Sequence, residues 1–329
     1  MSGGFHFKFS DDTAESTSVT TEATHSETQG TVEPVKSVPF LNAPVHLLTR
    51  QLLEEWCLLG QQNPQEQIEL QCHKASGVPL LAHQRAPRVE ELTVVGGREY
   101  RDIVPGKYYG GLKVWSCAPY LMEYMFDNRD MFRGLFRGTG EAVCDGTQGS
   151  VGNAFRYPIV IELGCGQGLP GVAALLIGAR HVLFQDYNDE VLELCVKPNI
   201  GVNLRRHMEA AEACAEDDDM CPTIVQLVSG DWGDMHWDGV AGGSVAILGS
   251  DVTFDEEACR KLAQLLQRLL SSSSGMAWIA SKQYYFGTSG GVLEFTQRCN
   301  ECKLTVVEVS SSGAGGGMHR VILLVRYQG

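Results

Sequence analysis

No apolar run in this 329-residue chain reaches the length of a bilayer span, so no transmembrane helix is expected. Cations are scarce. The chain has 26 Lys and Arg against 40 Asp and Glu, and a formal charge of −14 excludes nucleic-acid binding through phosphate neutralisation. The same charge suits a basic protein partner. A basic stretch followed by an apolar core is missing at the N-terminus, so no secretory signal is expected. Lys8 is the only Lys or Arg before Lys36, unlike an Arg-rich mitochondrial presequence. Without an export signal, the 11 cysteines read as reduced thiols and not as a disulfide framework, which places the chain in the cytoplasm or nucleus. Cys299 and Cys302 form a lone CxxC with no second Cys or His pair at ligand spacing, so no metal is expected.

What is present supports one globular body with extras, since 43% of the residues are hydrophobic. Residues 1–37 read as a disordered tail, rich in Ser, Thr and Glu, that begins with the aromatic tag Phe5-His-Phe-Lys-Phe9. Residues 38–101 read as a partly helical extension. Within it Val45 to Gly60 has helical spacing, with Leu48, Leu52 and Trp56 on one face, while Leu70 to Gly97 is mixed. The main domain is expected over 102–329. It opens with a helix from Pro119 to Phe132 and a flexible glycine-rich insertion over 134–156. An acidic run, Glu216 to Asp219, reads as a solvated turn.

From Pro158 onward apolar runs alternate with helical patterns. Strands are expected at Pro158–Leu163, His181–Asp186, Thr223–Ser229, Ser244–Ser250 and Gly275–Ser281. The helices are Leu169–Ile177, Asp189–Val196 continuing after Pro198, Glu256–Leu270 and Val292–Arg298. Two last strands, Leu304–Val309 and His319–Val325, flank the glycine loop Gly313–Gly317 as a hairpin. The fold class that follows is α/β and Rossmann-like: a seven-stranded, mostly parallel sheet, helices on both faces, and a C-terminal antiparallel hairpin.

The segment Ile159-Val-Ile-Glu-Leu-Gly-Cys-Gly-Gln-Gly168 carries the chemistry. A buried strand ends, and Gly164, Gly166 and Gly168 let the backbone turn tightly against a ligand. Cys165 fills a place in the turn that needs a small residue. The spacing GxGxG, with Glu162 just ahead, differs from the GxGxxG that sets a helix N-terminus against a pyrophosphate. A carboxylate there repels phosphate but suits an ammonium group, and Asp186 ends the next strand where it can accept from both hydroxyls of a ribose. S-adenosylmethionine, with an amino-acid end, a ribose and no phosphate, meets these demands. Further on, Asp231 is placed to bond the adenine amino group and Trp232 to wall the pocket, unless Asp-Trp is only a helix cap with a buried ring. Ser250 and Asp251 end the fourth strand, where ligands of open parallel sheets lie, though Asp251 could equally cap the next helix.

Six motifs occur in a recognisable order: Gly110-Gly-Leu-Lys-Val-Trp115, Glu162-Leu-Gly-Cys-Gly166, Phe184-Gln-Asp-Tyr-Asn188, Pro198-Asn199, Gly230-Asp-Trp232 and Ser281-Lys-Gln-Tyr-Tyr-Phe-Gly287. Together they resemble the protein-histidine N-methyltransferases of the seven-strand class I superfamily, the type that modifies a histidine of a large-subunit ribosomal protein. Close to these are the seven-strand protein-lysine methyltransferases. The resemblance runs from about Asp102 to the C-terminus. It implies cofactor contacts at Val114, Trp115, Ser116, Cys117, Ala118, Gly164, Gln185, Asp186, Tyr187, Gly230, Asp231, Trp232 and Ser250, to which the glycine turn adds Gly166. Departures are Ser116 where the family usually has a carboxylate, Gln167 for a small residue, and Gly249-Ser-Asp-Val-Thr-Phe254 for a Thr-Ser-Glu-Thr-Ile-Tyr-like segment.

For a histidine acceptor the chemistry asks for orientation more than for a base. Imidazole, with a pKa near 6.5, is mostly neutral at pH 7, whereas lysine, near 10.4, must first lose a proton. Asp251 and Tyr285 are the candidates to orient the ring, and Tyr284 and Phe286 either stack on it or pack the core. The expected activity is methylation of a protein histidine by a monomeric enzyme acting on a basic ribosomal protein. A lysine methyltransferase of the same fold, or a non-catalytic cofactor-binding chaperone for that protein, are the alternatives.

Overall fold

In parallel sheets covered on both faces, every strand position is buried, and the central strands here follow that rule. The computed structural model describes residues 43–59, 71–73, 81–83, 102–138, 157–214, 223–235, 244–312 and 318–329. These lie in one compact unit, Ser37–Gly329. The strands β4 (Ile159–Leu163) and β5 (His181–Asp186) are buried along their whole length. They join β6 (Ile224–Ser229), β7 (Ser244–Ser250) and β8 (Ser274–Lys282) in parallel pairings. The last two strands, β9 (Leu304–Ser311) and β10 (Arg320–Tyr327), pair antiparallel, with β10 seated between β8 and β9.

An eighth strand joins the seven expected. Val45–Leu47 (β1) pairs antiparallel with the outer edge of β6, giving the order β1-β6-β5-β4-β7-β8-β10-β9. The open edge of β6 offers backbone groups that need partners, and the first residues of the expected helix meet that need. The helix itself, α1 (Arg50–Leu59), then buries Leu53, Trp56 and Cys57. Gln71–His73 (β2) and Leu81–His83 (β3) form a separate two-stranded sheet.

Alternation along β4 assigns the two faces. Val160 faces the cluster built by α2 (Cys117–Asp127), α3 (Arg129–Arg137), α4 (Leu169–Ile177) and the helices after β5. Ile159, Ile161 and Leu163 face the opposite cluster, built on the helices Glu256–Ser271 and Val292–Glu301. The helix α4 is covered on all sides, so its sequence, LPGVAALLI, carries no polar face. After β5 come α5 (Asp189–Val191), a π turn over Leu192–Val196 and α6 (Lys197–Cys214). The wider turn lies just ahead of Pro198, which has no N–H to give and would crowd the carbonyl one turn back. On the other face α7 (Glu256–Ser271) is capped by Asp255, which accepts from the Ala258 N–H at 2.7 Å, and α8 (Val292–Glu301) follows β8.

Two expectations change in detail. The single helix expected over Pro119–Phe132 is two helices, broken at Asn128, whose side-chain amide donates to the Tyr124 carbonyl at 2.8 Å. The flexible insertion expected over 134–156 does not hold for its first residues, because α3 continues through Gly134 to Arg137 and buries both Phe132 and Phe136 completely. The N-terminal tag and tail, residues 139–156, the acidic run, the glycine loop of the hairpin and most of 70–97 lie outside the described residues.

Phe136 tests this helix. Phe136→Ala is expected to lower unfolding free energy by about 3–5 kcal/mol in a denaturant titration. A loss under about 0.5 kcal/mol, the range of an exposed position, would mean that the segment does not pack.

Candidate cofactor and acceptor site

Gly164 and Gly166 turn the chain sharply between β4 and α4, both with positive φ, 59° and 51°. A Cβ at Gly164 would lie 2.7 Å from a methyl of Val252, and one at Gly166 3.1 Å from the Gly111 carbonyl. A turn this tight leaves backbone N–H groups that must find acceptors, and the end of β5 supplies them. The Gly164 N–H donates to Gln185 Oε1 at 3.1 Å, Cys165 N–H to the Gln185 carbonyl at 2.7 Å, and Gly166 N–H to Asp186 Oδ2 at 2.9 Å. Gln185 Oε1 also accepts from the Trp232 indole N–H at 2.7 Å, and its amide donates to the Gly230 carbonyl at 3.0 Å. One side chain therefore joins the turn to the wall beyond β6.

Above these groups lies a cavity of about 550 Å³. Of the residues singled out in the sequence, Val114, Trp115, Ala118, Gly164, Gly166, Gln185, Asp186, Tyr187, Gly230, Asp231, Trp232, Ser250, Asp251 and Tyr285 line it. Ser116, Cys117 and Glu162 do not. Cys117 begins α2 with its side chain buried, and its N–H donates to Asp251 Oδ2 at 2.8 Å. The Ser116 carbonyl accepts from the Arg320 guanidinium at 3.2 Å. Glu162 lies on the α4 face of β4, as its two-residue spacing from Val160 dictates, and accepts from the Gly171 N–H at 2.8 Å. It fastens the start of α4 through Oε2, while Oε1 is buried without a hydrogen-bond partner and outside the cavity lining, so the ammonium contact expected of it is not what this geometry offers. Burial pushes its carboxyl well above the usual range.

Several roles resolve with the geometry. Asp231 pairs with Lys261 at 2.6 Å and accepts from the Gly233 N–H at 2.7 Å. Burial pushes Asp231 up, but those bonds outweigh it and hold the carboxyl below its ordinary value. Its carboxylate is thus shared with Lys261, which also lines the cavity. The cap of α7 is Asp255, not Asp251. The ring pair Tyr284 and Phe286 is exposed, by 56% and 78%, and so packs no core; Phe286 borders the cavity. Cys165 is buried, and burial with Asp186 and Glu162 nearby raises its thiol well above its ordinary value, so it is a filler and not a nucleophile.

At the far end of the cavity stands a cluster that the sequence only half disclosed. Asp251 has φ of 56°, a left-handed conformation costly for a non-glycine residue, and its N–H is held by the Ala280 carbonyl at 2.9 Å. Its Oδ1 accepts from the Tyr285 hydroxyl and from Lys282 Nζ, each at 3.0 Å. Lys282 is only 5% exposed and stands over two rings, 5.1 Å from the Trp115 centroid and 4.9 Å from that of Tyr285. Burial, with Asp251 and Cys117 beside it, pushes the Tyr285 phenol far above its ordinary value. Lys282 sits in the motif Ser281-Lys-Gln-Tyr-Tyr, but nothing in its spacing announced a buried cation. Gln167 and Asn199 were likewise unassigned: Gln167 donates to the Leu112 carbonyl at 2.7 Å and accepts from Asn199 at 2.9 Å, locking the 102–115 loop against the turn.

A parallel sheet closed by an antiparallel hairpin, with a glycine turn and carboxylate at the carboxyl ends of β4 and β5, defines a nucleoside-cofactor-binding transferase fold. A family model described as lysine methyltransferase matches residues 106–290, more than half of the chain, and the protein belongs to that family. Histidine protein methyltransferase 1 homolog of Dictyostelium discoideum is 31% identical over 196 residues, covering 60% of this chain and 50% of that protein. The Rattus norvegicus homolog is 30% identical over 230 residues, 61% of this chain and 52% of that protein. Protein N-terminal and lysine N-methyltransferase EFM7 of Cryptococcus neoformans is 28% identical over 141 residues, 41% of this chain and 43% of that protein. The chain spans about half the length of the curated relatives it matches.

The cofactor of the family is S-adenosylmethionine, and the residues present fit it. The glycine cradle has no room for side chains, Asp186 is an acceptor at the cavity floor, and Trp232 offers an aromatic wall. Among the described residues no group of three or more His, Cys, Asp or Glu is placed to hold a metal ion, and no helix is long and apolar enough to cross a membrane.

Two tests follow. Burial raises Asp186 from 3.8 to about 6, against the opposing N–H bonds from Asn188 and Gly166. Ribose hydroxyls donate to the ionised form, so affinity for S-adenosylhomocysteine should fall as pH drops below about 6, by up to tenfold per pH unit. Calorimetric titration across that range checks this; a pH-independent constant that matches Asp186→Asn would overturn the role. Without cofactor the sign reverses. The raised pKa means this group lowers stability as pH climbs from 3.8 through about 6. Gly164→Arg, by filling the turn, should abolish binding of the same ligand while the far-ultraviolet dichroism is retained.

Proposed function

We propose that this protein is an S-adenosylmethionine-dependent methyltransferase that transfers a methyl group to a ring nitrogen of a protein histidine. The observation that carries the reading is the state of Asp251. Both of its oxygens are engaged, one by the Cys117 N–H and the other by Lys282 and Tyr285. Asp251 is therefore not a free carboxylate placed to take a proton from a lysine ammonium. A histidine, already mostly neutral at pH 7, needs none. The names of the relatives in Dictyostelium and rat support the same acceptor.

Trp115, Gly164, Gln185, Asp186, Trp232 and Ser250 would hold the cofactor, which supplies an electrophilic methyl on a sulfonium sulfur. The Tyr285 hydroxyl donates its hydrogen bond to Asp251 and accepts from the Lys282 backbone N–H at 3.4 Å, which leaves the phenol oxygen one further acceptor position for the second N–H of an imidazole. That bond presents the bare ring nitrogen to the cavity. Asp251 and Lys282 fix the phenol in place, and positioning of this kind supplies much of the rate of a displacement. Trp115 and Val252 line the cavity with apolar surface.

The substrate we propose is a basic large-subunit ribosomal protein, met by a monomeric enzyme in the cytoplasm or nucleus. The excess of acidic residues, 40 against 26 basic, supports a basic partner. A second reading, lysine methylation, is favoured by the description of the family model and by the Cryptococcus relative.

Incubation with labelled cofactor and large-subunit ribosomal proteins, followed by acid hydrolysis, separates the two. Labelled methylhistidine is expected, and methyllysine alone would sink the reading. No turnover at all, with cofactor product bound, would leave a cofactor-binding chaperone. Tyr285→Phe is expected to lower kcat about tenfold to a hundredfold with cofactor affinity unchanged.

A further inference from the structure

Two lysines, each paired with a carboxylate, stand on the Trp115 ring beside the acceptor end of the cavity. Lys282 Nζ lies 3.0 Å from Asp251, so that pair is neutral overall. Lys113 stands on the Trp115 ring at 4.4 Å and is matched by Asp102 at 3.0 Å. Arg320 is the register partner of Lys282 on the neighbouring strand β10, and partners in an antiparallel pair share a face. Its guanidinium lies over the Tyr120 ring at 5.2 Å and bonds the Ser116 carbonyl, and its Nε is buried with no hydrogen-bond partner. Lys113 and Lys282 are therefore the cations on Trp115 and Tyr285, while Arg320 lies behind them and outside the cavity lining. Lys282 is the one that lines the cavity while almost wholly buried, where charge is poorly screened.

We propose that Lys282 is a specificity-determining residue: its buried ammonium excludes cationic acceptors from the site and admits a neutral imidazole. The inference rests on the histidine reading above and adds the device that enforces it. An incoming lysine ammonium would reach the bare sulfonium-facing end of the cavity only against a like charge and beside a carboxylate already neutralised. A neutral imidazole meets no such charge penalty, and the faces of Trp115 and Tyr285 provide aromatic surface for its ring. Positioning of Asp251 alone would not require a cation here, since Tyr285 and the Cys117 N–H already hold both oxygens.

Removal of the charge should redirect the enzyme. With Lys282→Met, Asp251 loses its counter-charge and becomes an attractor for an ammonium group. Wild type, Lys282→Met and Lys282→Arg are each incubated with labelled S-adenosylmethionine and a total cell protein extract, then hydrolysed. The ratio of methyllysine to methylhistidine should rise by about tenfold or more in Lys282→Met, the scale of one like-charge contact in a poorly screened site. Lys282→Arg should keep the wild-type ratio. Calorimetric affinity for S-adenosylhomocysteine should be the same in all three, which separates the filter from a role in holding the cofactor. An unchanged ratio in an active Lys282→Met overturns the filter. Methyllysine as the only wild-type product overturns instead the histidine reading on which it rests. Should Lys282→Met fail to fold, the wild type still decides. Imidazole should inhibit the reaction and n-butylammonium at the same concentration should not; equal inhibition overturns the proposal.

Discussion

The turn between β4 and α4 is possible only because three side chains at its base accept the N–H groups that it strands. A buried, unpartnered N–H costs about 1–3 kcal/mol, and a glycine turn has several within a few residues. Gln185 and Asp186 take those of Gly164 and Gly166, and Glu162 takes that of Gly171 at the start of α4. All three are buried polar groups in an otherwise apolar sheet. They hold the cavity floor, and through Gln185 the same bonds fix Trp232 and Gly230 on the far wall. The shape of the cofactor site is therefore set by hydrogen bonding within the protein before any ligand enters.

The opposite end of the cavity depends on charge. Asp251 sits in a strained backbone conformation just after β7, tied to β8 through Ala280 and Lys282, to the following loop through Tyr285 and to α2 through the Cys117 N–H. Strain of about 1–3 kcal/mol persists only where the surroundings over-determine it, and here four bonds do so. The result is a phenol and a buried ammonium placed side by side on a rigid frame, next to Trp115. The two ends divide the work of the site. The glycine turn with Gln185 and Asp186 shapes one end, and the Asp251–Lys282 pair with Tyr285 shapes the other.

The extension before residue 102 belongs to this frame. Its strand β1 closes the open edge of β6, and α1 packs on α6. The loop from Asp102 to Trp115 brings Gly111 to within a side chain's reach of Asp186 and is pinned by Gln167 and Asn199. The glutamines at 167 and 185 carry hydrogen bonds between these pieces.

Most of the fold was legible without coordinates, because hydrophobic periodicity is local. Strands β5 and β7 and helix α4 fall where the pattern placed them, and the glycine spacing with Asp186 marked a turn and a carboxylate that do line one cavity. Partners across the sheet are not local, and there the reading stopped short. Val45 to Leu47 reads as the start of a helix until the bare edge of β6 is there to bind it. Glu162 reads as an ammonium ligand until the two-residue period of β4 turns it under α4. Lys282 reads as one charge in a loop motif until β7, β8 and the 102–115 loop bury it against Asp251 and two rings. The order of residues determined which elements form and what kind of cofactor the turn can take. Which carboxylates remain free, and which charge faces the acceptor, was decided only by tertiary packing, since burial and pairing belong to residues brought together from distant parts of the chain.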